Sequence, residues 1–105
     1  MAIRITQKDD KKLTLSGTST ELNSVYARLE IALFPDGTSA NAGLHVYDSK
    51  SSYTAGKRTA RVDDLILSRR VELEEGVEQT LSSVHDAVKE LIKADGYTAT
   101  VVDLS

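Results

Sequence analysis

The clearest pattern in the chain is an alternation of apolar and polar positions from Val25 to Phe34. A turn sequence, Pro-Asp-Gly at 35–37, follows, and a second alternating run leads from Ala40 to Tyr47. Successive side chains of a strand point to opposite faces of a sheet, and Pro, Asp and Gly favour tight turns. The pattern therefore predicts two strands joined as a β-hairpin. The apolar face of the first strand would hold Val25, Ala27, Leu29, Ile31 and Leu33.

Burial predicts the register of this hairpin, because a shift by one residue moves every side chain of a strand to the other face. The alignment that pairs apolar side chains places Leu29 opposite Leu44 and Leu33 opposite Ala40. It leaves residues 35–38 as the loop, with a bulge beside the loop as the alternative.

Two shorter alternating runs precede this hairpin. The first, AIRIT, places Ile3 and Ile5 on one face, and the second, KLTLSG, does the same with Leu13 and Leu15. The polar segment between them contains two Asp at 9–10. Because Asp is common in turns, we predict that the two runs pair as a hairpin with these acids at its tip.

Residues 76–95 carry the pattern of an amphipathic helix, followed by an alternating run that predicts a final strand over 97–104. Acidic residues precede the helix and Lys residues lie near its end, as the helix dipole prefers. We expect Leu81 and Val88 to lie in the core. The apolar stripe consists of Val77, Leu81, Val84, Val88 and Leu91, widened by Ile92.

The remaining segments are less regular. Residues 48–61 are polar and predict an exposed loop or a ragged edge segment. Residues 62–75 contain Leu65, Leu67 and Val71 at one parity, which indicates two short strands or one bent strand with a break near Arg69.

The predicted fold is a single α+β domain over 1–105. It has a largely antiparallel sheet of about five to six strands, because the strand runs are short and closely connected. The helix over 76–95 would pack on one face of that sheet. A chain of 105 residues fits one domain with one modest core.

Composition narrows the functional classes. The net charge is −3 and aromatic residues make up 5% of the chain, so we expect no nucleic-acid partner, which would favour a basic or base-stacking surface. The sequence has no stretch of the length that spans a membrane and no apolar core of a signal peptide near its start. We therefore expect no membrane association and a cytoplasmic location.

The residues that carry chemistry do not form a catalytic or metal-binding pattern. The chain has no Cys, and its two histidines, His45 and His85, fall on different predicted elements. Adjacent acids occur at 9–10, 63–64 and 74–75, but neighbours in a strand point to opposite faces. Phosphate-binding and nucleophile-elbow motifs are absent from the sequence. We expect no enzyme activity, no metal, no cofactor, and histidines that are solvated or hydrogen-bonded.

Basic residues in the segment 50–61 leave an alternative open. Lys50, Lys57, Arg58 and Arg61 could bind an anion or an acidic partner, or they could be solvated side chains of a loop.

The polar face of the central hairpin is the candidate interface. Aromatic rings beside an Arg are typical of protein–protein contacts. The alternative is an ordinary sheet face with cross-strand pairs. The candidate residues are Tyr26, Arg28, Glu30, Phe34, His45 and Tyr47.

The segments VYARLE, PDGT and VYDSKSSY resemble small uncharacterised proteins of tailed-phage and prophage structural gene clusters. The resemblance covers roughly residues 1–55, and none of these segments is catalytic. It implies a virion or assembly component that packs against copies of itself or neighbouring proteins.

Two functions follow from the sequence. The first is a non-enzymatic phage-type structural or assembly protein that forms a homo-oligomer, in the host cytoplasm or the virion. The alternative is a monomeric protein-binding module, such as a phage-encoded inhibitor of a host protein.

Overall fold

The computed structural model describes residues 1–8, 11–17, 19–63, 65–74, 76 and 78–103. These residues form seven strands and two helices in chain order. The elements are β1 (Ala2–Thr6), β2 (Leu13–Thr14), β3 (Glu21–Leu22), β4 (Ser24–Leu33), β5 (Ser39–Tyr47), α1 (Lys50–Thr54), β6 (Ser68–Glu72), α2 (Leu81–Ala94) and β7 (Thr98–Val102).

The main sheet has five strands in the order β6-β5-β4-β1-β7, and all its neighbouring strands are antiparallel. Strands β2 and β3 form a separate two-stranded sheet. Helix α2 contacts each of the five strands and packs on one face. The predicted α+β class, with an antiparallel sheet and one main helix against it, is confirmed.

The register predicted for the central hairpin is confirmed. Leu29 pairs with Leu44 and Leu33 pairs with Ala40. The Phe34 N–H donates to the Ser39 carbonyl at 3.1 Å, which leaves residues 35–38 as the loop. Burial of the apolar face therefore selected this alignment over the alternative that differs by one residue.

The predicted pairing of the first two runs is wrong. Strand β1 pairs with β4 on one side and with β7 on the other, while β2 pairs with β3. Among the described residues, the two runs are linked by an isolated bridge between Lys8 and Lys11 and by a hydrogen bond from the Leu13 N–H to the Gln7 side chain at 3.4 Å, and the acids at 9–10 lie outside the described residues. A position between two strands satisfies both edges of β1 and buries Ile3 and Ile5 fully.

Helix α2 begins later than predicted, at Leu81, because its N-terminus is fixed by a capping box. The Thr80 hydroxyl accepts from the Ser83 N–H at 3.0 Å, and the Ser83 hydroxyl accepts from the Thr80 N–H at 2.9 Å. Leu81 lies in the first turn and is 64% exposed, so its predicted core position is wrong. Val88 is fully buried as predicted. Val77 lies outside the described residues.

Three smaller boundaries also differ from prediction. The polar segment after β5 contains the short helix α1, which begins after its N-cap Ser49. Arg69 lies inside β6 and does not break it. Strand β7 ends at Val102, before Asp103 with φ 54°, and Leu104 lies outside the described residues.

The core lies between the sheet and α2. Its largest fully buried side chains include Ile3, Ile5, Leu13 and Ile92, with Val84 and Val88 from the helix. In the part of the chain that the structure describes, neither helix has the length and apolar character needed to cross a membrane.

Candidate functional site

A tyrosine cluster occupies part of the sheet face opposite α2. The rings of Tyr26 and Tyr53 lie 5.7 Å apart between centroids, and those of Tyr47 and Tyr53 lie 5.1 Å apart in an edge-to-face arrangement. The Arg28 guanidinium stacks over the Tyr53 ring at 4.8 Å. Tyr53 comes from α1, so this short helix folds back over the polar face of β4 and β5. Aromatic and cation–π contacts hold it there.

A hydrogen-bond network ties the cluster to the residue after β7. The Tyr26 hydroxyl donates to Asp103 at 2.6 Å, and Lys50 Nζ lies 2.8 Å from the other carboxylate oxygen of Asp103. Burial, reinforced by the bond to Asp103, raises the pKa of Tyr26. The bond from Lys50, followed by that from Tyr26, lowers the pKa of Asp103. The network fixes α1 against the sheet.

The structure separates the predicted interface residues into covered and open ones. Tyr26 is only 3% exposed in the single chain. Tyr53 covers it within the single chain, so the Tyr26 ring offers little surface to a partner. Arg28 and Tyr47 are half-buried in the same cluster. Glu30 and His45 are exposed, and their side chains lie 3.0 Å apart.

Phe34 does not join this cluster. It lies at the end of β4, where the Arg70 guanidinium stacks over its ring at 4.9 Å. Arg70 also donates to the Ser39 hydroxyl at 3.2 Å and lies 3.8 Å from Asp36. Phe34 therefore belongs to the contact between β6 and the tip of the hairpin.

Sequence reasoning missed Tyr53, Lys50 and Asp103, which complete the cluster. The available signal was Ser49, whose side chain accepts from the Ser52 N–H at 3.1 Å and caps α1. Ser followed by a short polar run is common in loops, so this cap alone does not predict a helix. Lys50 of the basic 50–61 segment is paired with a carboxylate of its own chain.

The two histidines occupy different environments. His45 faces Glu30 on the open face of the sheet. His85 is buried, and its Nδ1–H donates to the Leu81 carbonyl at 2.6 Å, so it is hydrogen-bonded as expected. Desolvation lowers the pKa of His85. Among the described residues, no group of three or more His, Asp or Glu could hold a metal ion.

Strand β7 forms one edge of the main sheet. The Gln7 N–H donates to the Asn23 carbonyl at 3.0 Å and continues the β1–β4 ladder, so the backbone groups of Ile3 and Ile5 are hydrogen-bonded to β4. Because these bonds alternate along an antiparallel strand, the backbone groups of the even residues of β1 are hydrogen-bonded to Thr98, Thr100 and Val102 of β7. The backbone groups of Ala99 and Val101 consequently point away from the sheet. No charged residue occurs between Thr98 and Val102.

Strand β6 forms the opposite edge and is highly charged. The Leu44 N–H donates to the Leu67 carbonyl and the Leu73 N–H donates to the Thr38 carbonyl, both at 2.7 Å. By the same alternation, the backbone groups of Arg70 and Glu72 point outward. Three of its five residues are charged, namely Arg69, Arg70 and Glu72.

A groove of about 600 Å³ lies between β6 and α2. Its apolar floor consists of Val71, Leu73, Ala87 and Leu91. Its exposed rim carries four acids: Glu72, Glu74, Asp86 and Glu90. A contact between Arg69 of β6 and Asp95, the C-cap of α2, also joins this strand to the helix.

No family model, no curated protein and no solved structure matches this chain in three separate comparisons. These results neither support nor contradict the resemblance of residues 1–55 to phage structural proteins.

Proposed function

We propose that the chain is a non-enzymatic assembly protein that associates with copies of itself through the edge of β7. The observation that carries this proposal is a strand without charges whose Ala99 and Val101 direct backbone groups outward. Unpaired sheet edges readily accept another strand, and charged side chains are a common means of preventing this. The composition of β7, four β-branched residues among five, also favours strand pairing.

The geometry gives one symmetric arrangement. Two copies related by a twofold axis would pair their β7 strands antiparallel, with Ala99 hydrogen-bonded to Val101 of the second copy. Thr100 would then face Thr100 of the second copy. Cross-strand Thr pairs are favourable, and no like charges would meet along this joint.

The assembly would place the polar faces of two copies side by side. We assign contacts with neighbouring proteins to the exposed side chains of these polar faces, Glu30 and His45. The half-buried Arg28 and Tyr47 lie beside them. The phage virion or assembly setting, and a location in the host cytoplasm or the virion, come from the resemblance of residues 1–55 alone.

Cysteine cross-linking tests the arrangement, since the chain has no Cys of its own. Thr100→Cys should form a covalent dimer under mild oxidation, because opposed residues in a non-hydrogen-bonded pair have Cα atoms about 4.5 Å apart. Thr98→Cys is the matched control on the same strand and face. Its two copies would lie more than about 10 Å apart, since they are offset by four residues.

Light scattering coupled to size exclusion gives the second measurement. The wild type should form dimers, and Thr100→Lys should dissociate them by placing two cations opposite each other. Ala32→Lys adds the same charge at an exposed position of β4 and should leave the dimer intact. A wild type that stays monomeric, or equal cross-linking of both cysteine variants, would contradict the proposal. A strict monomer would favour the alternative, a monomeric protein-binding module.

A further inference from the structure

The groove between β6 and α2 combines an open strand edge with an apolar floor and an acidic rim. We infer that it binds an extended segment of another protein that carries apolar side chains flanked by Lys or Arg. The site is separate from the β7 edge used in the proposed self-association, since the two strands lie on opposite margins of the sheet.

The open edge decides the conformation of the ligand. Arg70 and Glu72 direct their backbone N–H and C=O groups outward, towards the side on which, among the described residues, the main sheet has no further strand. An added strand satisfies such groups, whereas a helix has already used its own. The groove runs along residues 70–74, which corresponds to roughly 15 Å of extended chain.

The floor provides contacts for alternate side chains. Val71 is fully buried, and Leu73, Ala87 and Leu91 are partly open towards the groove. Ala87 and Leu91 lie four residues apart on α2, so they occupy the same face of the helix. Every second side chain of an added strand would therefore contact apolar surface, as is usual in strand addition.

The rim decides the charge of the ligand. Glu72 and Glu74 lie on the strand side, and Asp86 and Glu90 on the helix side. The half-buried Lys89 and the exposed Lys93 approach these exposed helical acids only at 3.7–3.9 Å, so they neutralise them weakly. Among the described residues, Arg70 is the one base lining the groove. It contacts the hairpin tip and also lies 3.4 Å from Glu72, so Glu74, Asp86 and Glu90 supply most of the negative charge of the rim. The rim thus attracts a basic segment and disfavours an acidic one.

The same charges argue against a second copy as the occupant. Pairing β6 with β6 of another copy would bring two acidic rims and two α2 helices together on one face of the joint.

A labelled five-residue peptide that alternates Lys and Val, with blocked ends, is the probe. Titration into nitrogen-15-labelled protein should shift the amide signals of Arg70 and Glu72 and those of residues 83–91. A peptide that alternates Glu and Val should bind at least about tenfold more weakly, which corresponds to about 1.4 kcal/mol. A Lys–Val peptide with Pro at its centre lacks a backbone donor and should also bind more weakly.

Two double variants distinguish an effect of the groove on peptide binding from an effect of the net charge of the protein. Glu74→Lys with Glu90→Lys should abolish the preference for the basic peptide. Glu21→Lys with Asp48→Lys changes the net charge equally at exposed positions outside the groove and should retain the preference.

Loss of the preference in both double variants would mean that the attraction is non-specific and would overturn the inference. So would peptide-induced shifts elsewhere in the chain, or no binding to the wild type at millimolar peptide. Shifts of Arg70 and Glu72 that depend on protein concentration without peptide would identify a second copy as the occupant. The peptide arm requires no substitution in the protein, so it remains decisive if a variant fails to fold.

Discussion

Both edge strands of the main sheet expose backbone hydrogen-bonding groups, but they differ in the side chains that lie beside these groups. Both strands direct backbone groups outward, those of Ser68, Arg70 and Glu72 in β6 and those of Ala99 and Val101 in β7. β6 surrounds them with charges and with a helix that forms the other wall of a groove, whereas β7 carries only Thr, Ala and Val. The difference teaches that the two margins of one sheet can carry different charge patterns, which is the basis of our two proposals. It also explains why we assign a copy of the chain to one edge and a basic segment to the other.

Helix α2 packs against both edge strands and supports them. Ile92→Ala removes a side chain that is 2% exposed, and we expect it to lower the free energy of unfolding by about 2–5 kcal/mol. Leu81→Ala, at the exposed start of the same helix, should change it by less than about 0.5 kcal/mol. Urea unfolding measures both. Equal losses would mean that α2 is not the element that supports the edges.

A smaller effect should distinguish the edges from each other. Arg69→Met removes the partly buried contact between β6 and Asp95, and we expect a loss of about 1–3 kcal/mol. Hydrogen exchange should accelerate at the amides of Val71 and Leu73 before those of Thr98 and Thr100.

Arg70→Met is the control for this prediction. Its ion pairs are exposed, so it should cost no more than about 1 kcal/mol. Equal acceleration of exchange at both edges in Arg69→Met would show that the contact supports the whole sheet rather than β6.

The smallest effect concerns pH and the helix between the edges. His85 is buried and its Nδ1–H donates to the Leu81 carbonyl, while its Nε2 has no hydrogen-bond partner among the described residues. Its pKa is lowered from 6.5 in the folded protein, so the unfolded chain binds the proton more readily. Keeping His85 neutral therefore contributes to the free energy of unfolding above pH 6.5, and this contribution is lost as the pH falls below that value.

Unfolding free energies at neutral pH and near pH 5 test this prediction. The loss on acidification should be at most about 1.4 kcal/mol per pH unit for one group, and smaller in His85→Leu. Asp36 and Asp103 also have lowered pKa values, but from 3.8, so they act at more acidic pH. An identical pH dependence in His85→Leu would exclude His85 as its source.

The parts of the fold that depend on neighbouring residues could be predicted from sequence. The parity of Leu29, Leu33, Ala40 and Leu44 was sufficient for the hairpin register. The start of α2 was missed because a capping box of Thr80 and Ser83 outweighs an apolar pattern that continues upstream. Periodicity identified the helix but could not show where it begins.

The candidate sites depend on distant residues, which explains why sequence reasoning found them only in part. It identified Tyr26, Arg28 and Tyr47, which share neighbouring strands. It missed Tyr53, which reaches them from α1, and the groove, whose walls are separated in sequence by several residues. A one-dimensional pattern contains no information on which edge strand a helix lies beside.

The pairing of β1 with β7 has a consequence for biosynthesis. Ile3 and Val101 are neighbours in the sheet but are separated by almost the whole described chain. β7 must therefore leave the ribosome before β1 can gain its second neighbouring strand. Until then, one edge of β1 lacks its strand partner. Such late closure predicts slow folding that begins with the local β4–β5 hairpin, and a nascent chain that benefits from chaperones until β7 has emerged from the ribosome.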